Sequence, residues 1–278
     1  MIDKKAKNMR KPIVLPLLLA ATPALAQESP APAAPEEAPI CTDRPTKSNF
    51  ACTVPQGKFQ LESDAFNWAR TNAPGAQVDS FLYSNPTLKY GVGPNTDVEL
   101  NWAPYVETRV RAGGLVGRLG GVGDVVLRVK QRFTDPNKPV QIAAIPFVKA
   151  PTARLGIGNG AWEGGLIVPV NVSIPQGWTL TIVPEVDIVA DAANPGARHA
   201  QYQQVVNLGK ALTPKLTLYG ELWTAQNFDP SGTTDQYSAD FAFAYLLRPT
   251  LQLDLGGNFG LNRNTPDVQL YFGISKRF

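Results

Sequence analysis

From residue 58 onward the chain repeats one pattern, ten to fourteen residues of alternating apolar and polar side chains and then a turn. Period two marks an extended strand with one oily face and one wet face. In residues 161–174 the apolar face is Trp162, Leu166, Val168, Val170, Val172 and Ile174, with Glu163 and Asn171 opposite. In 177–190 it is Trp178, Leu180, Ile182, Val186 and Ile188, against Thr179, Thr181, Glu185 and Asp187. The pattern predicts twelve strands, at about 58–69, 80–92, 96–107, 122–133, 139–150, 161–174, 177–190, 199–211, 215–226, 236–248, 250–261 and 267–278. The first two alternate less cleanly than the rest.

The connections alternate as well. "GPNT", "DPNK", "PQG", "LTPK" and "RPT" are short and rich in proline. "TNAPGAQVD", "TRVRAGGLVGRLGG", "PTARLGIGNG", "DAANPGAR", "NFDPSGTTDQ" and "NRNTPD" are longer. A membrane barrel segregates its connections this way, with small periplasmic turns and longer outer loops. Strand length agrees, because a tilted membrane strand needs about 9–11 residues and a soluble strand averages about five or six. These features predict an all-β, antiparallel, up-and-down transmembrane barrel of about twelve strands. Alternation alone leaves a soluble sandwich open, with the same faces turned the other way.

Two stretches sharpen the choice. "VQLYFGISKRF" ends on Phe278, with Ile274, Phe272 and Leu270 on the same side. A terminal aromatic closing an alternating strand resembles the assembly signal of outer-membrane barrels, although Lys276 stands where an apolar residue is usual. "GDVVLRVKQRF" sets Asp124, Arg128, Lys130 and Arg132 on one face, with Val125, Leu127, Val129 and Phe133 on the other. Charges in hydrocarbon cost several kcal/mol each, so the charged face needs a wet interior. Lys149 extends this basic wall, while Glu163, Glu185, Asp187, Glu221, Asp240 and Asp254 make an acidic one. These eleven charges are the candidate solute path. Opposed walls would orient polar solutes in an open pore, or pair across a narrow one and close it.

The start of the chain differs. Lys4, Lys5, Lys7, Arg10 and Lys11 precede a short apolar run and "ALA" at Ala24 to Ala26, the pattern of a secretory signal peptide over 1–26. Removing it subtracts five basic residues and one acidic residue from totals of 26 and 23, leaving 21 against 22, a net charge of −1. A nucleic-acid partner therefore has no basis in charge. Residues 27–40 are Pro/Ala/Glu-rich and read as a tether. In an exported chain Cys41 and Cys52 are expected to pair, so residues 27–57 are read as tether plus a disulfide-closed periplasmic segment and 58–278 as the barrel. The expected location is the outer membrane of a Gram-negative bacterium, with outer-membrane lipid and the barrel assembly machinery as partners.

Signs of catalysis are sparse. His199, the single histidine, has no serine near it in sequence and no G-x-S-x-G motif occurs, so it reads as a solvated loop residue. Glu185 and Asp187 could act as paired carboxylates or hold a cation, although pairing with interior bases is the plainer reading. "GLVGRLGGVGD" lacks the ending of a phosphate loop and reads as a mobile outer loop with room to fold into the interior. No catalytic residue, metal or cofactor is expected.

"DRP" at Asp43 to Pro45, "TVPQGKFQLE" at Thr53 to Glu62, "GVGDVVLRVKQRF", "PFVKAPTA" at Pro146 to Ala153, "WEGGLIVPV" at Trp162 to Val170 and the closing "LQLDLGGNFGLNRNTPDVQLYFGISKRF" occur in that order. Together they resemble the outer-membrane proteins named for the meta-pathway of phenol degradation, over about Asp43 to Phe278. The resemblance implies a β-barrel transporter tied to uptake of aromatic compounds. The expected function is passive uptake of small solutes; a non-conducting structural or adhesive barrel and an outer-membrane lipid hydrolase are the alternatives.

Overall fold

All twelve alternating runs fold as strands in the computed structural model, which describes residues 37–278. The expected signal peptide and residues 27–36 of the tether lie outside the described residues. In chain order the strands are β1 (Phe59–Ala73), β2 (Ala76–Leu82), β3 (Thr87–Gly93), β4 (Thr96–Trp102), β5 (Val106–Ala112), β6 (Leu115–Gly121), β7 (Val125–Arg132), β8 (Val140–Ala150), β9 (Glu163–Ile167), β10 (Val170–Ile174), β11 (Trp178–Ala190), β12 (Arg198–Ala211), β13 (Leu216–Asn227), β14 (Thr234–Arg248), β15 (Leu251–Gly260) and β16 (Val268–Arg277). The pairs β2–β3, β4–β5, β6–β7 and β9–β10 are each one barrel stave broken in the middle. Neighbours pair antiparallel around the ring, and β1 closes it on β16 from Gln60↔Arg277 to Arg70↔Val268.

Register carries the alternation around the wall. Thr181, Asn207, Glu221, Asp240, Asn258 and Gln269 form one transverse row through β11 to β16. Every member is polar, and the first five are buried inside. The adjacent row is Ile182, Val206, Leu222, Ala239, Phe259 and Val268. Leu222 and Phe259 there are 60% and 44% exposed. A soluble sandwich buries its apolar face and wets its polar one. This closed sheet does the reverse, which removes the sandwich and leaves a barrel for a lipid environment. Leu270, Phe272, Ile274 and Phe278 lie on the exposed apolar face. Lys276 shares their parity and reaches the Thr250 hydroxyl at 3.2 Å, which takes its charge to the rim. Trp178 sits beside the short Pro175–Gly177 turn and Trp162 beside a long connection, so the two mark opposite ends of the barrel.

Two of the long connections are strand rather than loop, contrary to expectation. "TNAPGAQVD" is the end of β1 and the start of β2 around Pro74 and Gly75. "TRVRAGGLVGRLGG" is the β5–β6 hairpin, not a mobile loop inside the barrel. Its turn glycines Gly113 and Gly114 hold φ of 56° and 80°, the left-handed region that lets the chain reverse in two residues. Together with β2 and the end of β1 the hairpin builds a four-stranded extension of the wall. Alternating Glu107, Arg109 and Arg111 is a strand pattern, but its charge makes it look like loop.

Candidate functional site: the barrel interior

Residues 40–57 do not form a segment apart from the barrel. They pass through its interior, which corrects the expected division at residue 58. The Ile40 amide donates to the Pro249 carbonyl at 2.6 Å, at the rim with the short turns. At the other end of the segment the Gly57 amide donates to the Gly91 carbonyl at 2.8 Å before β1 begins. Between them the Cys41–Cys52 disulfide closes the loop into a compact plug. The expected disulfide is present.

The plug presents each charge to the opposite wall. The Lys130 ammonium donates to the Asp43 carboxylate at 2.7 and 2.9 Å, and Lys89 does so from the neighbouring region of the wall. The Arg44 guanidinium donates to Asp254 at 2.6 and 3.1 Å and to Asp64 at 2.6 Å. The Lys47 ammonium donates to Asp240 at 2.6 Å and to the Ser238 hydroxyl at 2.9 Å, and its amide donates to Glu221. The Ser48 hydroxyl also donates to Glu221, at 2.7 Å. Burial alone would push the Asp43 carboxyl up, but Lys130 and Lys89 outweigh it and hold it well below the usual carboxylate range. Burial pulls the Lys47 ammonium down, with Asp240 opposing.

Glycines make room for this contact. A side chain at Gly273 would overlap the Arg44 guanidinium, and one at Gly91 would overlap the Pro55 carbonyl. Backbone contacts add to the fit. The Ala51 amide donates to the Asn171 side chain at 2.6 Å, and the Val54 amide to Asp97 at 2.7 Å.

The eleven candidate wall charges divide into five sets. Lys130, Glu221, Asp240 and Asp254 bind the plug. Asp124, Lys149 and Glu163 form their own network, with Lys149 at 3.1 Å from Asp124 and 2.9 Å from Glu163. That network ties down the 151–162 connection, because the Ala153 amide donates to Asp124 and Asn159 donates to Glu163. Arg132 is buried against the β3–β4 turn, donating to Asn95 at 2.6 Å and to the Pro94 carbonyl at 3.2 Å. Glu185 and Asp187 share the Gln203 amide at 3.1 and 2.8 Å. Arg128 is the least engaged, 4.0 Å from Glu99 and beside a cavity of about 210 Å³ that Arg44, Lys47, Lys89 and Asn101 also line. A second cavity of about 250 Å³ lies across Arg44 and Lys47, against Asn67, Asn258 and Tyr271.

Sequence reasoning missed Asp43, Arg44, Lys47 and Ser48, and with them Glu62, Asp64, Lys89, Asp97 and Glu99 on the wall. Three charges inside one short disulfide loop were the available signal. The reading of His199 as a solvated loop residue is also corrected. Its side chain is 6% exposed and bridges two outer connections, with Nδ1 2.7 Å from Asp191 and Nε2 2.7 Å from the Asn227 oxygen. No group of three or more His, Cys, Asp or Glu among the described residues is placed to hold a metal ion.

Solved structures share this architecture. An outer-membrane channel from Pseudomonas putida F1 superposes with a TM-score of 0.66 at 14% identity, covering 84% of this chain and 99% of that one. The β domain of a Bordetella autotransporter gives a TM-score of 0.50 at 13% identity, covering 80% of this chain and 100% of that one. At such identities the likeness is one of fold. No curated protein matches the sequence. The family model described as "Putative MetA-pathway of phenol degradation" matches residues 42–278, from within the plug to the final phenylalanine, and the chain belongs to that family.

Proposed function

We propose that the protein is a plugged outer-membrane channel that passes small polar solutes passively. The observation that carries this reading is the pair of polar cavities flanking Arg44 and Lys47, with Arg128 on the wall turned to one of them. A solute crossing the barrel would meet the plug, and its path would open where plug and wall contacts part. The finer reading, that the solutes include aromatic compounds, is supported by the description of the family. Catalysis is not part of the proposal. Both ring nitrogens of His199 face side-chain oxygens, and no serine is among its partners.

The density of ion pairs around the plug favours a resting state that is shut, so a barrel that never conducts is the competing reading. Planar-bilayer recording of the folded protein separates the two. The wild type should conduct rarely and in small steps, and Arg44→Ala with Lys47→Ala should raise open probability at least tenfold. If both forms stay silent while heat-modifiable gel migration shows a folded barrel, the channel reading fails. Where either form conducts, liposome swelling with phenol, a pentose and an amino acid ranks the solutes.

A further inference from the structure

Four arginines stand on the outward face of the β1–β2–β5–β6 extension. Arg70, Asp79, Arg109 and Arg118 pair in one transverse row across its four strands. Arg111 lies one step further out, opposite Gln77. The facing follows from β1, where Phe66 pairs with Phe272 and Trp68 with Leu270 on the exposed apolar side, and Arg70 shares their parity. Aromatic rings lie directly below the arginines. Phe66, Phe81 and Tyr83 pack with ring centroids 5.9–6.3 Å apart, and Arg109 lies over the Phe81 ring. Along this side of the barrel the order is therefore aliphatic, aromatic, cationic. A bilayer presents hydrocarbon, interface and phosphate in the same order.

The arginines are held for use. Asp79 accepts from Arg70 at 2.8 Å, from Trp68 at 3.0 Å and from Arg111, which fixes both guanidinium groups. Arg118 is exposed and makes no salt bridge among the described residues. Against four positive charges the face carries only Asp79 and Glu107, a net of +2. Guanidinium forks match phosphate oxygens two at a time. With strands about 4.8 Å apart, the row from Arg70 to Arg118 spans about 14 Å, wide enough for a disaccharide with a phosphate at each end. The extension lies at the end opposite the short turns, which in such barrels is the outer leaflet.

We propose that this face binds the diphosphorylated headgroup of outer-leaflet lipopolysaccharide. The binding is independent of conduction. It is tested by native mass spectrometry of the folded full chain in non-ionic detergent, titrated with diphosphorylated lipid A, dephosphorylated lipid A and phosphatidylglycerol. Diphosphorylated lipid A should bind at least tenfold tighter than the other two. Arg111→Gln with Arg118→Gln should remove that preference, while Arg154→Gln, which sits on the inner side of the same extension, should keep it. If the double variant fails to fold, Arg118→Gln alone should weaken lipid A binding at least threefold. Equal binding of phosphatidylglycerol, or full retention of lipid A by the folded variants, overturns the proposal.

Discussion

Asp43 and Lys130 are separated by 87 residues of chain and meet at 2.7 Å inside the barrel. The contact joins the plug to the basic wall, and breaking one partner strands the other in a buried place. Asp43→Asn should loosen the plug by about 3 kcal/mol, the low end of what removing one member of a buried pair costs. The checks are a rise in open probability and faster proteolysis between the two cysteines.

The same carboxylate sets a pH dependence. Its folded pKa is depressed, so its contribution to docking is fully present above the unfolded value near 4 and is lost as pH falls through the lower, folded one. Conductance recorded from pH 7 down to pH 3 should stay low at first and rise at the acid end. In Asp43→Asn it should already be raised at pH 7 and change less. A wild type whose conductance falls in acid would contradict this account.

Arg44 rests on a glycine of the wall, and the contact can be tested from that side. Gly273→Val places a side chain against both the guanidinium and the Ser63 carbonyl of β1, so it should displace Arg44 from Asp64 and Asp254 and raise open probability as Arg44→Ala does, with a smaller folded fraction from strain at the β1–β16 seam. Val at Gly257, whose nearest neighbour is Leu270 instead of the plug, serves as the comparison and should leave gating unchanged.

Adjacent residues on β7 should behave oppositely. Leu127 is 51% exposed in the lipid-facing row with Leu100 and Val148, and Arg128 lines the polar cavity. Leu127→Arg should cost about 2–4 kcal/mol near the bilayer midplane and reduce the folded, heat-modifiable fraction. Arg128→Ala should fold normally and shift reversal potentials toward cations. If the two substitutions act alike, the assigned facing is wrong.

Opening the Cys41–Cys52 ring by changing both residues to serine should leave the barrel folded, because the wall pairs strand to strand without it. The plug should lose about 3 kcal/mol of loop restraint, seen as longer open bursts.

The wall was legible in the sequence because it obeys a local rule. Side chains two apart share a face, so Leu127 and Arg128 could be assigned to lipid and interior from eleven consecutive letters. The plug obeys no local rule. Asp43, Arg44 and Lys47 alternate with nothing, and their partners lie as far away as Asp254. The excess of charge on the wall was visible, but not what neutralises it. His199 was misread for the same reason, since Asp191 and Asn227 approach it only once β11, β12 and β13 are side by side. The first run alternated poorly because β1 carries a bulge between Asp64 and Phe66, where the inward parity changes, and the second because it breaks over residues 83–86 between β2 and β3. The outer extension was hidden by its arginines, which belong to a sheet that has left the hydrocarbon.

Arg44 reaches Asp64 on β1 and Asp254 on β15, and lies against Gly273 of β16 between them. Those strands are the first and the last two of the ring, so one guanidinium spans the junction where the sheet closes on itself. Its binding place is complete only when the two ends of the wall have met in register. A nascent barrel with a slipped or open junction would offer neither the paired carboxylates nor the notch. Docking of the plug thus doubles as a check on closure, made from inside by a segment that precedes every strand it inspects.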